Sequence, residues 1–153
     1  VVFGPAGLQV STGQKSAWAH TGCLEGNVKI TRIYTGADKR SHFEDLDIPL
    51  LPASYGVQSE SIPVGGVIFR ETPVGGALDF HPAPRRQFVV TLSGLGEIEC
   101  GDGTRQRFGP GAVMLAEDTT GQGHITREIA GSRTGLFIPV PEDFDISKWR
   151  AKP

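Results

Sequence analysis

The stretch HPAPRRQFVVTLSG, residues 81–94, places a histidine and, six positions on, a glutamine ahead of an apolar, β-branched run. Side chains alternate faces along a strand, so Gln87, Val89 and Thr91 share one face, and Phe88, Val90 and Leu92 the other. The same alternation puts Asp79 and His81 on one face before the proline-rich corner. Farther along, His124, Thr126 and Glu128 share a face. If these polar sets turn inward, Asp79, His81, Gln87 and His124 converge on one pocket. Two imidazoles, an amide and a carboxylate can hold a divalent ion or hydrogen-bond a small polar molecule. Left without partners, such groups cost about 1–3 kcal/mol each when buried, so they need one another, water, a metal or a ligand. Arg85 has the parity of Gln87 and can pair a carboxylate or phosphate bidentately, or stand in solvent. Arg86 points the other way.

Three other groups have the residue types for chemistry and a plainer reading beside it. HTGC, His20 to Cys23, resembles half a zinc site, but no second Cys/His pair completes the four ligands a structural site wants. EDTTGQG, residues 117–123, has the glycines of an anion loop without a following Gly-Lys-Ser/Thr, and reads as a tight connector. His42 in SHFED reads as structural. The two cysteines, Cys23 and Cys100, make no disulfide scaffold, although a single bridge between them stays open.

These residues must be positioned by strands. Gly (21) and Pro (11) punctuate short apolar runs along the 153 residues, which predicts many turns and an all-β domain. Strands are expected at Val28–Tyr34, through SHFEDLDIPLLPAS, where Pro and Ser end it, at Gly66–Glu71, in the approach to His81, and from Gln87 to Leu92. EIEC and TRQRF form a hairpin about Asp102-Gly103, read as a two-residue turn. AVMLA, the stretch after the glycine loop, and TGLFIPV complete about eight strands. Residues 141–153 read as a short helical tail with Phe144, Ile146 and Trp149 able to pack down. Residues 1–27 read as an N-terminal arm, leaving 28–140 as the domain. Net charge of −2 and a pI of about 6.1 give no electrostatic case for nucleic acid or anionic membrane. No run reaches the roughly 18–20 apolar residues of a membrane helix, and no signal peptide is evident, so a cytoplasmic location is expected.

The spacing about these residues resembles the cupin superfamily. Its first motif is Gly, five residues, His-x-His, three or four residues, Glu, six residues, Gly. This chain has Gly75, then His81, Pro82, Ala83, Gln87 and Gly94 at those spacings. For the second motif, Gly111 is followed by AVMLA, Glu117 stands where Pro is usual, and His124 falls two residues late. Glu128 replaces Asn. The resemblance covers about residues 60–140 and implies an all-β cupin jelly-roll barrel (double-stranded β-helix). It also implies a site for Fe, Mn, Ni or Zn held by three His and one Glu. Position by position, His81 and His124 are kept, Ala83 is lost and Gln87 is changed, which lowers affinity for a divalent ion. Asp79 or Glu117 could supply an oxygen and restore a two-His, one-carboxylate triad.

Two functions follow. One is a cupin binding a small molecule, neutral or anionic, with His81, Gln87 and His124 orienting it, Arg85 tethering an anionic group, and a degraded metal site or none. The other is a metal-dependent dioxygenase or isomerase built on His81, His124 and an oxygen ligand. A third reading, a structural or regulatory module, rests on the arm and on dimerisation through sheet edges. A homodimer is expected in each case.

Overall fold

The computed structural model describes residues 26–150. Nine strands follow one another: β1 Gly26–Thr35, β2 Ser41–Pro52, β3 Val57–Gln58, β4 Ile68–Thr72, β5 Ala77–His81, β6 Gln87–Glu99, β7 Arg105–Phe108, β8 Val113–Glu117 and β9 His124–Pro139. The all-β expectation holds. The strands join in one sheet in the order β3-β2-β1-β8-β6-β9-β4, with β5 on β9 and β7 on β6. All pairs are antiparallel except β1 with β8, where Thr31 stands beside Met114. Among the described residues no helix is long and apolar enough to cross a membrane.

The sheet doubles over because its two longest strands bend together. β6 and β9 pair from Gln87↔Pro139 to Glu99↔Ile125, with register shifts between Thr91 and Gly96. Bulges of this kind sharpen twist without ending the pairing. At the bend Gly94 has φ +79°, and a Cβ there would meet the Ser132 carbonyl at 2.6 Å. The strand expected to close at Leu92 therefore runs on to Glu99. The same bend turns the two stretches expected as separate strands, HITREI and TGLFIPV, into one β9.

Folding over gives β1, β6 and β8 a buried surface on both sides. Inside the fold, Ile33, Val89, Met114 and Ala116 pack against Ile98, Cys100 and Phe108 from the other layer. Outside, Ile30, Leu46, Phe88 and Leu115 are covered by Val140, Ile146 and Trp149 of the C-terminal segment, with Phe144 alongside. The packing expected of the tail holds, but its helix does not form: only one 3-10 turn is present, Ser147–Trp149. The reason lies in the carbonyls. Arg86 Nη1 donates to the carbonyls of Pro141 at 2.9 Å and Phe144 at 2.5 Å, which fixes residues 141–144 in a single turn closed by Phe144 N–H on the Pro141 carbonyl at 3.1 Å. Asp145 caps the Ser147 amide at 2.8 Å.

The Asp102-Gly103 hairpin forms, although its loop is longer than two residues. Gly103 N–H donates to the Cys100 carbonyl at 2.9 Å, and Cys100 N–H to the Thr104 carbonyl at 2.8 Å. Gly101, Asp102 and Gly103 are thus a three-residue loop with Gly103 left-handed at φ +86°. Cys100 is fully buried, and burial pushes its thiol up to about 11, so it is no nucleophile. The arm of residues 1–27 and its His20 and Cys23 lie outside the described residues, apart from Gly26 and Asn27 at the start of β1.

The β1–β2 turn docks on this hairpin and on the glycine loop. Ser41 Oγ donates to the Gly123 carbonyl at 2.7 Å, and Gln122 N–H to the Lys39 carbonyl at 3.0 Å. His42 stands in the seam, with Nε2 3.0 Å from Asp38 Oδ1 and Nδ1 3.4 Å from Asp102 Oδ2. The hydrogen bond to Asp38 raises the His42 pKa above its ordinary 6.5, and that bond lowers Asp38 below 3.8. A raised histidine stabilises fully below its ordinary value and loses this as pH rises through the raised one. A lowered carboxylate contributes above its ordinary value and loses this as pH falls through the lowered one. The contact is therefore strongest between pH 3.8 and 6.5. We expect the Tm gap between wild type and His42→Gln to be widest near about pH 5.5 and to shrink by about pH 8.5. A gap that does not change with pH would exclude an ionised His42 as the source.

Candidate functional site

His81 ends β5 and His124 begins β9, and the antiparallel register sets them opposite each other. Their rings lie 4.6 Å apart, centroid to centroid, tilted by 55°. Gly123 makes this approach possible. It is left-handed at φ +74°, and a Cβ there would fall 2.0 Å from the His81 carbonyl oxygen. The glycine loop is thus the connector the sequence suggested, and its last glycine lets two backbones touch.

Both rings are held by Nδ1. His81 Nδ1 lies 2.8 Å from the carbonyl oxygen of Asp79, which can only accept, so Nδ1 carries the proton. His124 Nδ1 lies 2.6 Å from Asp118 Oδ2, and an ionised carboxylate likewise only accepts. A ring that carries its proton on Nδ1 alone has its Nε2 lone pair free. Asp118 is fully buried, and its Oδ1 has no partner among the described residues.

The histidines line a cavity of about 210 Å³ between the two layers. Gln87, which is buried, joins them, and Ala83 lies where the cupin resemblance would place a second histidine. Val89, Met114 and Phe137 form an apolar wall. Thr126 and Glu128 follow His124 on the inward face of β9, as alternation required. Glu128 is tied to Arg133, whose Nε and Nη2 both reach it, at 2.9 and 2.8 Å. Arg70 and Thr72 of β4 also line the cavity.

Three other candidates stand elsewhere. Asp79 does not share a face with His81, because β5 carries an extra residue. Leu78 faces Thr126 and His81 faces His124, so Asp79 and Phe80 together oppose Ile125. The bulge keeps Leu78 and His81 on the cavity and leaves Asp79 exposed, its Oδ1 accepting from the Phe80 amide at 2.8 Å. Arg85 is exposed and outside the lining, because β6 begins only at Gln87 and its alternation does not extend back through the corner. Glu117 is on the opposite face of β8 from Met114 and Ala116. There it bridges Arg32 and Arg86, and Arg32 also bonds Glu44 at 2.6 Å.

Sequence reasoning missed Asp118, Arg70, Arg133 and the buried role of Arg86. Asp118 carried a faint signal as the acidic residue at the head of the glycine loop. Nothing local marks the others, whose roles depend on contacts between distant strands.

The donor set does not fit the four-ligand centre that the cupin resemblance implies. Two imidazoles remain, Ala83 offers a methyl group, and Gln87 a neutral amide. Asp79 and Glu117 are not at the cavity, and Asp118 sits behind His124 on the ring nitrogen turned away from the Nε2 lone pair. Among the described residues no three His, Cys, Asp or Glu gather as a metal-binding group.

No family model matches the sequence, and no curated protein matches it. Among solved structures, the chain is similar to the crystal structure of an RmlC-like cupin protein from Desulfovibrio desulfuricans. The identity is 15%, over 74% of this chain and 82% of that chain, with a TM-score of 0.37.

Proposed function

We propose that the chain is a cupin-like protein that binds a small polar molecule in its barrel, at a centre reduced from a metal site to two imidazoles and an amide. The observation that carries this reading is the state of the histidines. Each spends its Nδ1 proton on a fixed acceptor, and each retains an Nε2 acceptor beside an inward Gln87 that has no side-chain partner among the described residues. Such a trio is suited to a ligand hydroxyl or amine: two acceptors, and an amide that both donates and accepts. At about 210 Å³ the cavity is below the roughly 300–1,000 Å³ of ordinary ligand sites, so the molecule must be small.

In this reading the protein is a cytoplasmic homodimer. The outer edge of β4 and β5 supports the dimer: it has no partner strand among the described residues and carries exposed Phe69 and Phe80. An open apolar edge of this kind calls for cover.

The test is elemental analysis of untagged protein, alone and after loading with Fe(II), Mn, Ni or Zn, beside a His81→Ala/His124→Ala variant. We expect metal well below stoichiometry in both, with no rise in Tm on loading. Near-stoichiometric metal that disappears in the variant would overturn this reading. It would favour instead the metal-dependent enzyme built on His81, His124 and an oxygen ligand.

A further inference from the structure

The cavity has a second polar pole. Of its charged lining residues, Arg133 and Glu128 satisfy each other bidentately. Arg70 is left, with no carboxylate partner among the described residues. Two arginines and one glutamate give the lining one net positive charge. The Arg70 guanidinium lies over the Phe137 ring, 5.2 Å from its centroid, which fixes it against the apolar wall. Phe137 is the register partner of Val89, and Val89 is two residues from Gln87 on the same inward face. Two strand residues span about 7 Å, so a short molecule can reach from the Arg70 end to the imidazole–amide end.

Resting on the reading that this cavity binds a small polar molecule, we propose that the ligand is a short-chain hydroxycarboxylate. Its carboxylate takes the Arg70 fork, its carbon body lies along Val89 and Phe137, and its hydroxyl donates to Nε2 of His81 or His124. An arginine fork matches a carboxylate in geometry and charge. With Nδ1 engaged by an acceptor, a neutral imidazole offers Nε2 as an acceptor, so a ligand hydroxyl is the group that bonds to either ring, and the Gln87 amide can donate to its oxygen. A simple carboxylate lacks that hydroxyl, and a neutral alcohol lacks the anion.

The experiment is calorimetric titration of the wild-type protein with lactate, glycerate and mandelate, beside their methyl esters and the deoxy acids propionate and phenylacetate. Ring resonances of His81 and His124 are followed by NMR in the same samples. We expect at least one hydroxy acid to bind about tenfold or more tighter than its ester and its deoxy acid, consistent with one charged hydrogen bond. In Arg70→Gln the preference for acid over ester falls toward one while Tm is unchanged, since Arg70 is exposed. Arg70→Lys, which keeps the charge without the fork, restores part of it. Ester binding as tight as acid binding, or an acid preference that survives Arg70→Gln, overturns the inference. Binding of neutral esters that moves the histidine resonances overturns the anion and keeps the cavity reading. If no compound moves those resonances, both fall.

Discussion

Gly123→Ala lowers Tm by roughly 6–12 °C and breaks the His81–His124 pairing. Two costs combine. An alanine at φ +74° sits in the left-handed region, which costs roughly 1–2 kcal/mol. Its Cβ would also stand 2.0 Å from the His81 carbonyl and 2.4 Å from the Pro82 nitrogen. Those are backbone atoms that no rotamer change relieves, so the strands must part. We place the sum at about 3 kcal/mol, and for a chain of this size each kcal/mol moves Tm by about 2–4 °C. Gly103→Ala is the control. Its φ is +86° but nothing lies within 4 Å of the added Cβ, so only the conformational cost applies. The two variants are compared by thermal unfolding and by the ring resonances of the two histidines. Equal Tm losses would show that the close approach at His81 contributes nothing.

Glu117→Ala removes the anion between the buried Arg86 and the half-buried Arg32. Arg86 is 7% exposed, and Glu117 links it to Arg32. Arg32 retains Glu44, whereas Arg86 is left with carbonyls alone. Removing one partner of a buried ion pair costs about 3–5 kcal/mol, because the remaining charge stays desolvated, and we expect a Tm loss of roughly 6–20 °C. The C-terminal segment that Arg86 holds should loosen first, which Trp149 fluorescence can follow. If Glu117 were a metal ligand instead, the variant would lose metal content and keep its Tm. That pattern would contradict the placement of Glu117 on the outer face.

Much of this was legible in residue order. Gly and Pro punctuation with alternating apolar runs predicts the strands, and the shared faces of His81, Gln87 and His124 point to one pocket. His81, Gln87 and His124 do line it. Alternation holds where a strand is regular, as along β8 and the start of β6, so inward residues there could be named in advance. It fails where a bulge intervenes. The one extra residue in β5 rotates Asp79 out of the site, and the irregular corner before Gln87 does the same to Arg85. Bulges depend on how two strands are matched in register, and neither strand encodes that alone.

The sequence by itself determined that this is an all-β protein with two histidines and a glutamine where a metal centre would have a fuller set of ligands. Those are facts of residue type and spacing, and they survive any detail of packing. Tertiary structure alone decided what surrounds them. Asp118 lies behind His124, Arg70 across the cavity, and Glu117 between two arginines on the far face. Each pairing joins residues on different strands or loops, so it exists only once the sheet has doubled over at Gly94 and the glycine loop has brought His124 against His81.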